Sequence, residues 1–173
     1  SGSRSVGDIS YAVTAADALA ALKIAVGLNP NPDPDGAGPK VAPVLSPYQI
    51  MAADVVGTDG RVTSADALAI LKMAVGLSTA PTPGWMFVDE KRDFYDETTG
   101  TFTLDRNHTT WDQNINVPVQ GDTTANLVGV LKGDVNGSWT PPANTVYVES
   151  LAPNYFATLA QTLNTPQAQW GIV

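Results

Sequence analysis

The stretch DGRVTSADALAILKMAVGL, residues 59–77, has an earlier counterpart in YAVTAADALAALKIAVGL, residues 11–28. Residues 13–28 set against 62–77, a shift of 49, are identical at 13 of 16 positions, with an aspartate, Asp17 or Asp66, early in each run. Apolar residues at Leu19, Leu22, Ile24 and Val26, and again at Leu68, Leu71, Met73 and Val75, recur at helical spacing, and the alanines between them favour helix. The spacing predicts two equivalent helices whose Ala, Leu and Val stripe is mostly core. Thr14 and Thr63 are the expected N-caps. Asp17 and Asp66 fall in the first turn, where the helix dipole favours negative charge, and Gly27 and Gly76 end the helices.

Outward from the copies, NPNPDPDGAGPKVAP is too rich in Pro and Gly for regular structure, and residues 29–45 read as a spacer loop. In SPYQIMAAD, Ser46 is an N-cap and Pro47 the first helical residue of a short helix that delivers the chain to the loop around Asp54. After residue 80 the texture changes. WMFVDE, GTFTLDR, NINVPV and NLVGVLKGDV are short β-branched or aromatic runs separated by turn formers, which predicts a small antiparallel sheet. Near the end, PNYFATLAQTL reads as a closing helix opened by Pro153. The expected fold is α+β: a duplicated loop–helix region over 1–80, packed with a β-rich extension over 81–173.

Composition limits the function. Nine basic against seventeen acidic residues give a net charge of −8, which repels phosphate backbones and argues against nucleic acid. Bound cations would relieve that repulsion. Residues 1–80 carry seven Asp, no Glu and five basic residues, so the acids there are all aspartates, mostly in Gly-rich or Pro-rich loops. Cysteine is absent, which removes disulfides, thiol nucleophiles and cysteine zinc sites. No apolar run is long enough to span a bilayer, so membrane insertion is not expected. The opening SGSRS lacks a signal-peptide pattern, and the chain is read as part of something longer.

Calcium takes six to eight hard oxygen ligands. A short loop can supply them by turning alternate side chains inward, adding a backbone carbonyl, and closing with a carboxylate on the following helix. The run DVVGTDGRVTSAD, residues 54–66, fits that plan: Asp54 begins it, Asp59 precedes the turn glycine, Arg61 offers its carbonyl, Val62 anchors the loop and Asp66 closes it. With its duplication, this resembles the calcium-binding loop–helix repeat of dockerins, modules that plug into cohesin domains in cellulosomes and other bacterial or archaeal surface assemblies. The resemblance rests on Ala53-Asp54-Val55, Gly57, Asp59-Gly60, Val62 and Asp66, with one residue inserted, and on the leucine-basic pairs Leu22-Lys23 and Leu71-Lys72. It covers roughly residues 4–78.

The resemblance implies bound Ca2+, with Asp8, Ser10 and Asp17 as the first loop's ligands, although that loop lacks the turn glycine and a second loop aspartate. It also implies a cohesin-like partner met by Ala15, Ala16, Leu22 and Lys23 and by Ser64, Ala65, Leu71 and Lys72. Solvated lysines on an apolar helix are the plainer reading of Lys23 and Lys72. A third fragment, GDVNGSW, copies the opening of such a loop with oxygens at Asp134, Asn136 and Ser138, but no matching helix follows it in sequence. It reads either as an ion site or as a polar turn.

Other chemistry finds less support. His108 has no second His and no Cys with which to build a zinc site or a nucleophilic pair. Asp89, Glu90, Asp93, Asp96 and Glu97 crowd one short segment, as a solvated face or ion-binding turn does more often than a glycosidase pair. Trp85, Trp111, Trp139 and Trp170 could form a platform for polysaccharide, though core packing is the commoner fate of Trp. Asp33-Pro34 matches the cleavage dipeptide of calcium-dependent self-processing modules, but lies in the Pro-rich spacer. The expectation is therefore a connector rather than an enzyme, extracellular or on the cell surface.

Overall fold

The structure, a computed structural model, describes residues 11–32, 44–57, 59–115 and 125–140, and the backbone of 149–152 and 156–160. Asp8, Ser10, Asp33-Pro34 and Trp170 lie outside the described residues.

The duplicated runs form α1 (Ala15–Ala25) and α3 (Ser64–Ala74), which pack against each other. Each starts at its threonine, Thr14 or Thr63, in extended backbone, and each stops at a glycine with positive φ, Gly27 at 81° and Gly76 at 68°. The short helix α2 (Pro47–Ala53) begins as expected, with the Ser46 hydroxyl accepting from the Tyr48 N–H and Pro47 at the first position.

The leucine stripes do not form the core. Ala18, Ala20, Ala21 and Ile24 of α1 and Ala67, Ala69 and Ile70 of α3 are buried, whereas Leu19, Leu22, Val26, Leu68, Leu71 and Val75 are exposed. Both helices are apolar nearly all round, so periodicity leaves two apolar faces to choose between. The alanine face goes inside because small side chains let the backbones approach closely.

The second half supplies β1 (Trp85–Asp89), β2 (Tyr95–Asp96), β3 (Thr101–Phe102), β4 (Asn126–Leu131), β5 (Glu149–Ala152) and β6 (Phe156–Ala160). An antiparallel sheet runs β1-β4-β6-β5, with Trp85 opposite Leu131 and Asn126 opposite Ala160, and β2-β3 form a separate hairpin. The mixed α+β class is as the sequence predicts. The closing helix is not, because residues 156–160 are a strand. Its Phe-Ala-Thr-Leu-Ala run pairs with the second edge of β4, where every N–H and C=O would otherwise need another partner.

One hydrophobic cluster runs through both halves, joining Val13, Ile24, Ile50, Met51, Val62 and Ile70 to Val88, Phe94, Leu104, Val128, Val130 and Val135. The two halves approach closely at Gly133 (φ 96°), just after β4. A Cβ there would sit 3.0 Å from Met73 Sδ and 3.1 Å from Val13 Cγ2, so only glycine lets the chain pass between the two repeats. Its N–H donates to the Ala52 carbonyl at the end of α2.

Candidate functional site

Asp66 is buried in the first turn of α3 and is used twice over. Its Oδ2 accepts from the Thr63 N–H (2.8 Å) and Thr63 hydroxyl (3.1 Å), while Oδ1 accepts from the N–H groups of Val55 and Val56, both at 3.0 Å. One carboxylate thus caps its own helix and holds the loop that follows α2. The remaining loop residues are engaged as well. Asp59 Oδ1 accepts from the Arg61 N–H at 3.2 Å, and the Arg61 side chain donates to Asn107 Oδ1 at 2.8 Å. Asp54 Oδ2 accepts from the Thr109 hydroxyl at 2.6 Å, and the Lys132 ammonium donates to the Asp54 carbonyl. Burial raises the Asp54 carboxyl above its ordinary range, opposed by the Thr109 hydroxyl and the Lys132 charge. Burial lowers Lys132, while the charges of Asp54 and Asp66 pull it back up.

The same construction occurs at α1, with a different loop. Buried Asp17 takes the Thr14 N–H and hydroxyl on Oδ2, both at 2.8 Å, and its Oδ1 accepts from the Asn136 N–H at 3.0 Å. Asn136 therefore stands to Asp17 as Val56 stands to Asp66. The sequence around it, Gly133-Asp134-Val135-Asn136-Gly137, parallels Ala53-Asp54-Val55-Val56-Gly57, and both loops turn at a positive-φ glycine, Gly137 at 65° and Gly57 at 83°. Asp134 closes its loop by accepting from the Ser138 N–H on Oδ1 (2.8 Å) and the Trp139 N–H on Oδ2 (2.9 Å). The Ser138 hydroxyl lies 3.4 Å from Asp134 Oδ1 and donates to the Ala12 carbonyl at 3.1 Å. Burial pushes the Asp134 carboxyl up to about 6, with the Asp17 charge adding to the rise and the Trp139 and Ser138 N–H groups opposing it.

The chain thus brings Asp17 together with Asp134, Asn136 and Ser138, which the sequence reading had kept apart. Asp8 and Ser10, paired with Asp17 in that reading, are outside the described residues. Asp54, Asp59 and Asp66 share one loop, but no group of three or more His, Cys, Asp or Glu placed to hold a metal occurs among the described residues. Lys132, Thr109 and the Ala12 carbonyl were missed. The first two come from segments with no motif of their own, while Ala12 is marked by its alignment with Arg61 at the 49-residue shift.

The expected partner face is open. Ala15, Ala16, Leu22, Ser64, Ala65 and Leu71 are exposed, and Lys23 and Lys72 half-buried. His108 sits on an exposed turn with Nδ1 3.0 Å from Asp105 Oδ1. Asp89, Asp93 and Asp96 each accept the N–H of the residue two further on, the ordinary work of turn aspartates. Trp85 stacks near Phe87 and meets Trp139 edge-on at 4.7 Å, and Trp111 meets Phe94 edge-on.

No family model, curated protein or solved structure matches the chain. No helix among the described residues is long and apolar enough to cross a membrane.

Proposed function

We propose that the protein is a non-catalytic docking module whose loop–helix units bind calcium and present a duplicated helical face to a cohesin-like domain, as part of a larger extracellular or surface protein. The observation that carries this reading is the repeated exposure of large apolar residues. Leu19 and Leu68, Leu22 and Leu71, Val26 and Val75, and Leu28 and Leu77 are equivalent pairs, each residue 41–62 % exposed. Scattered single leucines on a surface need no explanation, but the same four positions left open on both copies do. A shared partner surface explains why near-identity extends round the helix to positions that packing does not constrain. Lys23 and Lys72 add a basic group at matching places.

The test is binding of the intact chain to cohesin-like domains in calcium and in chelator, with Leu22→Asp and Leu71→Asp combined. The double variant is expected to stay folded with Tm lowered by a few degrees, because both residues are partly exposed, and to lose the partner. Undiminished binding by the double variant would contradict this face.

A carbohydrate-binding reading has one observation in its favour, a cleft of about 500 Å³ lined by Trp85, Trp111, Gln113, Asp54 and Lys132. Retention on polysaccharide with quenching of tryptophan fluorescence, while cohesin-like domains fail to bind, would select it.

A further inference from the structure

We infer that the chain builds one calcium site from two segments far apart in sequence: Asp134, Asn136 and Ser138 from the loop after β4, with the Ala12 carbonyl and Asp17 from the entry to α1. The inference rests on the calcium reading above for the identity of the ion, and moves the first site to residues that lie 120 positions away in the chain.

Three hydrogen bonds bring these residues together. Asp17 holds the Asn136 N–H, Asp134 holds the Ser138 N–H, and the Ser138 hydroxyl reaches the Ala12 carbonyl. Each bond joins two of the residues that would share the ion, so these residues already meet at the entry to α1. At the 49-residue shift, Ala12 and Asp17 align with Arg61 and Asp66, the carbonyl donor and closing carboxylate of the other loop. Asp134, Asn136 and Ser138 alternate as a calcium loop requires, with Val135 between them turned into the core. The first loop–helix unit is therefore complete, but its loop comes from the far end of the described chain.

Two further observations point to a ligand. Asn136 Oδ1 is shut away from solvent and has no hydrogen-bond partner among the described residues. Buried amide oxygens are nearly always satisfied, and the cost of one left bare is what a coordinated cation would recover. Asp17 and Asp134 are also both buried, and no Lys or Arg forms an ion pair with either among the described residues. Two neighbouring buried carboxylates without a counter-charge call for a cation.

The other loop provides an internal comparison. There the position equivalent to Asn136 is Val56, which offers no side-chain oxygen, and the Lys132 ammonium already lies against the loop. That loop carries a cation of its own, covalently attached. The split loop has the fuller oxygen set and no lysine. Two carboxylates with an amide, a hydroxyl and a carbonyl oxygen suit Ca2+, whose flexible shell accepts such mixed ligands and completes itself with water, better than Mg2+ with its demand for octahedral geometry. Bound there, the ion would clamp α1 to the end of β4.

The experiment is calcium titration calorimetry on the full chain and on Asn136→Ala, Asp59→Ala and Asp8→Ala. Asn136→Ala removes an oxygen that bonds nothing in the protein, so its melting temperature in chelator should match the wild type or exceed it. Its calcium affinity at one site should fall at least tenfold, with Asp8→Ala unaffected. Wild-type affinity in Asn136→Ala, or loss of a site in Asp8→Ala, overturns the split site. If calcium binds and only Asp59→Ala weakens it, the split site fails while the calcium reading stands. If wild type binds no calcium, both fail.

Discussion

Replacing Asp66 with Asn changes one atom at the centre of the second loop–helix unit. The carboxylate accepts four hydrogen bonds, two on each oxygen, from Val55, Val56 and Thr63. An asparagine keeps one acceptor oxygen; whichever way it faces, its NH2 group points at two of those donors. Two charge-assisted bonds are lost and buried N–H groups are left bare, at about 1.5–3 kcal/mol for each such bond, or about 3–6 kcal/mol in all. That is a large share of the ~5–15 kcal/mol that holds a typical domain together. For a chain of this length each kcal/mol moves the midpoint by roughly 2–4 °C, so Tm should fall by roughly 6–24 °C. Thermal unfolding followed by circular dichroism in excess chelator isolates this effect from any bound ion. Asp17→Asn, which has three such bonds instead of four, should lose somewhat less. Stability within about 0.5 kcal/mol of wild type, the range of an ordinary surface change, would refute the clip.

Gly133→Ala should cost about 1–3 kcal/mol through positive φ and contact with Met73 and Val13, read by denaturant unfolding, and an unchanged midpoint would contradict the close passage. Asp134 should make the metal-free protein less stable as pH rises. Its folded pKa of about 6 exceeds the ordinary 3.8, so between those values the folded chain keeps a proton that the unfolded chain has lost. Stability should fall through that window by at most about 3 kcal/mol, and Asp134→Asn should flatten the dependence; a wild-type profile that rises there relative to the variant would contradict it. Calcium should reverse the trend, because the ion requires the carboxylate. Leu19→Asp combined with Leu68→Asp should lower Tm by no more than about 4 °C, the helix-propensity cost of two aspartates, since both side chains are more than half exposed; a drop beyond about 10 °C would mean that they are packed after all.

Where a structural rule is local, the sequence reveals it. Thr14, Thr63 and Ser46 begin helices, Gly27 and Gly76 end them, and β1 and β4 follow their β-branched runs. The inward face of α1 and α3 was not legible, because alanine and leucine stripes are equally apolar and only packing distance distinguishes them. Residues 156–160 suit helix by composition but are taken as a strand by the edge of β4, a tertiary demand that overrides propensity. Within the candidate site, the pairing of Asp66 with the loop at Asp54 is readable because the two are twelve residues apart. Asp17 was assigned to the residues just before it for the same reason. Its actual loop lies after β4, and the only sequence sign was a loop opening at Gly133 with no helix behind it.

If calcium belongs to the folded molecule, as proposed, thermal unfolding of the intact chain must differ between excess calcium and excess chelator. An ion that binds only the folded state adds about 2.7 kcal/mol per site at a hundredfold excess over Kd, which raises Tm by roughly 5–10 °C for each site filled. Calcium should produce that rise, with magnesium much less effective. Superimposable melts in calcium and chelator would contradict it.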